Sequence, residues 1–183
     1  MSTPDPRPRS SLACGYSPQE DRLVLTVTDN ETSRSIHFTR RLTSKLINAL
    51  AHILERSNEV VGKVPAGLRD DVFLLEHIQA LGRRSAARDQ QTAARADSGR
   101  PVAATPARTR TAHLAVKMTI APTPSGFHLV LFGRSGPLLQ ARMNREELHR
   151  FLELFRGHAE AAGWNLVMES TWLQSEQSDV VIN

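Results

Sequence analysis

The sequence predicts an α+β fold: two pseudo-repeated strand-strand-strand-helix units that pack on each other, joined by a disordered linker. Three observations predict it. In each half, short runs alternating apolar and polar residues are followed by a run with a 3.6-residue apolar period. The apolar positions of the two halves superimpose at a nearly constant shift. Between them, residues 83–112 contain no Leu, Ile or Phe. The expected map is a tail at 1–11, a first unit with an additional helix at 12–82, a basic linker at 83–112, a second unit with a final strand at 113–173, and a tail at 174–183.

In the first unit, Leu12 to Tyr16 reads as a weak strand. Leu23, Leu25 and Val27 then alternate with Arg22, Thr26 and Thr28, as a half-buried strand does. Asp29 to Ser33 are turn formers, and Ile36 and Phe38 open a second alternation. Thr43 is placed to cap a helix whose Leu46, Ile47, Leu50, Ile53 and Leu54 share one face. A second helix is expected from Ala66, after Pro65, to Leu81, with Leu68, Val72, Leu75, Ile78 and Leu81 inward and Gly82 as its stop.

In the second unit, Leu114, Val116, Met118 and Ile120 alternate. Phe127 to Phe132 is apolar on both parities except at His128, which suggests a strand covered on both faces. Leu139 and Ala141 continue a third strand. Asn144 and Glu147 have capping-box spacing, and Met143 and Leu148 are placed as a hydrophobic staple. Leu148, Phe151, Leu152 and Phe155 form the stripe of the helix, Gly163 stops it, and Trp164 to Leu173 reads as a last strand.

The repeat aligns Leu23, Leu25 and Val27 with Phe127, Leu129 and Leu131 at a shift of 104. It aligns Leu42, Thr43, Ile47, Leu50 and Leu54 with Met143, Asn144, Leu148, Phe151 and Phe155 at a shift of 101. The difference implies a turn three residues shorter in the second copy. Units of this size are marginal alone, so the copies are expected to pack on each other or on another subunit.

Net charge is +4, but its placement matters more than its size. Residues 1–82 hold ten Lys/Arg and ten Asp/Glu, and residues 113–183 hold six and seven. The excess lies in 83–112, with seven arginines and two aspartates. A folded phosphate-binding surface carries its own charge, and here the linker carries it. Cys14 is the only cysteine, which excludes a disulfide framework and a cysteine-based zinc site. No apolar run reaches the roughly 18 residues of a membrane span, and residues 1–11 resemble neither signal nor anchor, so a cytoplasmic protein is expected.

Candidate sites are sparse. His52 and Glu55, and Asp70, Asp71, Glu76 and His77, are metal-compatible types on helices, but without a repeated Glu-x-x-His spacing they read as solvated faces. No Gly-x-Ser-x-Gly elbow is present. Gly133-Arg134-Ser135-Gly136 lacks the lysine of a phosphate loop and reads as a hairpin turn. Accordingly no catalytic, cofactor-binding or metal residue is assigned. Arg40 and Arg41, with Arg142 matched to Arg41 by the repeat, are placed to meet an anion. Trp172 and Leu173 are placed as an exposed anchor. Arg83, Arg84, Arg88, Arg95, Arg100, Arg108 and Arg110 supply electrostatic contacts from the linker.

These features point to a non-catalytic protein-interaction module: an adaptor, assembly factor or accessory subunit. Its partner is another protein, or a second copy meeting it through open sheet edges. The alternative is a nucleic-acid-binding protein using the basic linker and sheet faces, weakly and without sequence preference. Strand-rich repeats ending in a helix do occur in the Whirly and PUR-repeat proteins, a likeness of topology alone.

Overall fold

The computed structural model of the chain describes residues 11–28, 32–96 and 109–174. For Ser11, residues 83–96, Thr109 and Arg110 it describes the backbone alone. The fold is α+β, with a four-stranded and a three-stranded sheet and a helix after each group of strands. Strands β1 (Ser11–Ser17), β2 (Arg22–Thr28) and β3 (Thr32–Thr39) form an antiparallel meander, followed by α1 (Arg40–Arg56). After two short 3-10 turns, α2 (Arg69–Ala96) leads toward β4 (Thr109–Leu114), which adds to β3 in parallel. Strands β5 (Lys117–Thr123), β6 (Gly126–Gly133) and β7 (Gly136–Met143) form the second meander, followed by α3 (Arg145–Ala161) and one turn, α4 (Thr171–Gln174).

The alternation in β2 buries Leu23, Leu25 and Val27, and that in β6 buries Phe127, Leu129 and Leu131. Helices α1 and α3 pack on each other, and each also lies over strands of the other copy: α3 on β1 and β2, α1 on β5. Phe38 of β3 meets Phe155 of α3 edge-on, with ring centroids 4.8 Å apart. One core therefore serves both halves, as expected for units too small to stand alone. No described helix is long and apolar enough to cross a membrane.

The structure corrects several expectations. The N-cap of α1 is Thr39, whose hydroxyl accepts from the Leu42 amide at 3.3 Å. Thr43 lies one turn inside the helix, buried, with its Oγ1 unpartnered. The repeat alignment changes accordingly. Leu23, Leu25 and Val27 do match Phe127, Leu129 and Leu131 at 104. Leu138 is then an extra, bulged residue in β7, so the shift becomes 105. Phe38 matches Met143, Thr39 matches Asn144 as N-cap, and both helices run for 17 residues. The halves differ by one inserted residue in a strand, with no turn shortened by three.

Helix α2 continues past Gly82, and its inward residues are Phe73, His77 and Ala80, while Leu68, Leu75 and Ile78 are exposed. Residues 109–112 of the expected linker belong to β4, and 97–108 lie outside the described residues, as do residues 1–10 and 175–183. Trp164 to Leu173 is not a strand. Asn48 of α1 takes the place of a neighbouring strand, donating to the Val167 carbonyl at 3.1 Å and accepting from the Glu169 amide at 3.0 Å. Trp172 and Leu173, expected as an exposed anchor, are each 1% exposed because α4 folds them back against α2 and the core.

Candidate binding groove between two strand edges

Among the described residues β1 and β7 are sheet edges, each paired on one side only. Their neighbourhood is built by the end of β7 and the start of α3. Asn144 caps α3, accepting from the Glu147 amide at 2.8 Å, while Glu147 accepts from the Asn144 amide at 2.8 Å. Both halves of the box foreseen in the sequence are present. Met143 and Leu148 are both buried at their staple positions. Gly126, at φ +142°, lets β6 start against this corner, since a Cβ there would stand 2.3 Å from the Met143 carbonyl oxygen.

Between the two edges lies a groove of about 300 Å³. Leu12 of β1 forms one wall, and Ala141, Arg142 and Met143 of β7 form the other. Glu147, Arg150, Phe151 and Leu154 of α3 line its floor. Leu12 is 44% exposed, a large apolar side chain left open beside a free strand edge. The charges are unequal in what they have left to offer. Glu147 is engaged in the capping box. Arg150 donates to the Ala80 carbonyl at 2.9 Å and pairs with Glu146. Arg142 is exposed, and among the described residues its guanidinium makes no hydrogen bond or ion pair.

The repeat shows what the other copy does with the equivalent place. At the 105 shift Arg142 matches His37. The His37 carbonyl accepts from the Ala115 amide at 2.9 Å, at the end of β4. Ala115 is buried, and the next amide, Val116, donates to Phe132 of β6 at 2.8 Å. The edge of β3 is thus covered by β4, whereas among the described residues the matching edge of β7 bears no strand, and only the Arg34 side chain reaches it, donating to the Leu138 carbonyl at 3.4 Å.

The other expected site residues fall in separate places. Arg40 lies 5.4 Å over the Trp164 ring and 3.6 Å from Asp21, whose carboxylate also accepts from Trp164 at 2.7 Å and from Tyr16 at 2.9 Å. The donated bonds from Trp164 and Tyr16 hold the Asp21 carboxyl below its usual range. Arg41 is exposed and matches Glu146, so the expected pairing of Arg41 with Arg142 fails by one helical turn. Arg100 and Arg108 lie outside the described residues, and Arg83, Arg84, Arg88, Arg95 and Arg110 are described in backbone only.

Of the helix residues considered for metal chemistry, Asp71 is exposed and apart, and the others divide into two groups. His52, Glu55 and Asp70 line an open cleft of about 450 Å³ together with Glu169. His52 contacts Glu169 at 2.9 Å and Glu55 at 3.3 Å, and chiefly the Glu169 contact raises its pKa. Glu76 and His77 instead join a polar network between α2 and α3. The Nδ1 atoms of His77 and His149 are 3.1 Å apart, so one ring donates to the other. Glu153 lies 3.4 Å from His77 Nε2, and Glu76 lies 3.6 Å from His149 Nε2, a charge contact beyond hydrogen-bond reach. Arg145 joins Glu76, Ser57 and the Leu54 carbonyl, tying the start of α3 to α2 and the end of α1. Trp172 lies beside both imidazoles and donates to Glu55 at 2.9 Å. The network fastens three helices together. Among the described residues no three His, Cys, Asp or Glu side chains converge as metal ligands.

Cys14 faces Leu25 across the β1–β2 ladder, and burial pushes its thiol up to about 11, so it is a poor nucleophile at neutral pH. The groove residues Leu12, Phe151 and Leu154 were not foreseen as a site. The signal that could have found them is the repeat read at the correct shift, which shows β7 without a counterpart of β4 among the described residues. In comparisons with known proteins no family model, curated protein or solved structure matches the chain.

Proposed function

We propose that the chain is a non-catalytic protein-interaction module, an adaptor, assembly factor or accessory subunit working in the cytoplasm, that binds an extended segment of another protein along the free edge of β7. The observation that carries this reading is the unequal repeat. The edge of β3 bears β4, while among the described residues the matching edge of β7 bears no strand and lies beside a groove floored in part by Phe151 and Leu154. A free edge offers a row of unpaired N–H and C=O groups that an added strand can complete. The aromatic residues add support against a base-stacking surface. Of the nine aromatic residues, Phe38, Phe73, Phe127, Phe151, Phe155, Trp164 and Trp172 are buried, Phe132 is half-buried, and Tyr16 alone is exposed.

Gln140 matches Ser35, so by the β3 register its N–H belongs to the open edge. Gln140→Pro removes that donor without taking a bond from the β6–β7 ladder, as proline does at strand edges. The test is affinity capture from nuclease-treated lysate, followed by cross-linking and peptide mapping. The expected result is a protein cross-linked near β1 and β7 that is retained by the wild type and by Gln140→Ala but lost with Gln140→Pro, whose melting temperature stays close to that of the wild type. Capture that disappears with nuclease, or that Gln140→Pro leaves unchanged, contradicts the reading.

A further inference from the structure

We infer that the strand captured by β7 runs parallel to it, seats a small apolar residue against the floor of the groove, and brings a carboxylate to Arg142. The inference rests on the interaction reading above and adds direction and chemistry to it. The direction comes from β4, which pairs with β3 in parallel, with His37 opposite Leu114. Transposed by the repeat, Arg142 stands where His37 stands, and its carbonyl faces the position of the Ala115 amide.

The residue types follow from the pleat. Successive side chains of a strand point to opposite faces. Ala115 is 3% exposed in its seat, and transposing that seat by the repeat puts it beside Met143, at the groove that Phe151 and Leu154 line. A small apolar side chain fills it. The preceding residue of the added strand lies opposite Arg142, on the outer face. Arg150 is held by the Ala80 carbonyl and Glu146, whereas among the described residues Arg142 commits none of its five N–H donors, so Arg142 is the groove cation freest to take a new anion. A carboxylate there gains a charge-assisted, bidentate partner.

The probes are synthetic peptides with capped ends, added to the 183-residue chain. One has the sequence of residues 109–116, TRTAHLAV, and the other carries Leu114→Glu. Affinity is measured by calorimetry, and the binding place by amide shifts. The glutamate peptide is expected to bind about tenfold more tightly, the effect of a charge-assisted hydrogen bond, with shifts centred on Gln140 and Arg142. Arg142→Glu should reverse the preference. A spin label on the peptide N-terminus should broaden resonances near Gly136 and spare those near Met143.

Broadening at the Met143 end overturns the parallel direction. Equal affinities, untouched by Arg142→Glu, overturn the carboxylate assignment while leaving the interaction reading in place. Failure of both peptides to bind also overturns the inference, and the capture experiment with Gln140→Pro still decides the broader reading. Peptide binding that appears only after residues 1–10 are removed overturns it too, because the slot then belongs to this chain.

Discussion

Glu76 sits where burial alone would raise its pKa, but the contacts from His149 and Arg145 outweigh burial and hold the carboxyl at about 2. Glu153 follows the same pattern, with burial opposed by His77 and Arg156 and a net lowering. His149 moves the same way for the opposite reason: burial pushes the charged imidazole down, and Glu76 offsets this only in part. All three groups bind fewer protons folded than unfolded, so each stabilises the fold more as pH rises through its window. Acidification should therefore lower stability in two stages. The first begins below the ordinary imidazole value of 6.5, as His149 comes to favour the unfolded state. The second lies between 4.5 and about 2, as Glu76 is protonated. His52 has the reverse sign, its small contribution fading as pH rises through its raised value. Urea unfolding midpoints measured from pH 8 to pH 3 should show both stages. Glu76→Gln should cost roughly 1.5–3 kcal/mol at pH 7, as for hydrogen bonds to charged groups, and should shrink the lower stage. A midpoint that rises on acidification contradicts this account of the network.

Among the elements, α3 was fully legible in the sequence because its stop and start signals are local: Asn144 and Glu147 in the box, Met143 and Leu148 in the staple, Gly163 at φ +71° beyond the end. Helix α1 was placed one turn late. Thr39 and Thr43 are both of a residue type that caps helices, and a 3.6-residue stripe looks the same after a one-turn slip. The two readings differ in energy. Thr39→Ala and Asn144→Ala should each cost about 1 kcal/mol through a lost cap. Thr43→Val should be neutral or stabilising, because it removes a buried hydroxyl without a partner. Denaturant titration of the three variants checks this, and a loss in Thr43→Val equal to that in Thr39→Ala would restore the later start. Helix α2 was read with the wrong face inward. Its buried face includes His77, which is tolerated there only because His149 and Glu153 answer it across 72 and 76 residues of chain. Strand β4 escaped notice for a similar reason, since Thr109 to Ala112 look like linker by composition and gain their order from β3. The supposed last strand alternates as a strand should, but its partner is the side chain of Asn48.

At the scale of the molecule, the pseudo-repeat was visible in the sequence as matching apolar positions, and the shared core follows from it. The groove was not visible, because it depends on an asymmetry in tertiary pairing: among the described residues β3 is covered by a distant segment and β7 is not. The bulge at Leu138 was hidden too, and it moves Arg142 out of register with Arg41 and into register with His37. The central claim is that these two matching edges differ, one occupied and one free to take a partner strand. Native-state amide hydrogen exchange on the isolated 183-residue chain tests it most directly, since paired edge amides exchange only through opening. The amides of Ser35 and His37, facing β4, should be protected, and those of Gln140 and Arg142 should exchange at rates close to those of unprotected amides. Equal protection at the two edges would show that β7 is already covered in the isolated protein and would contradict the account.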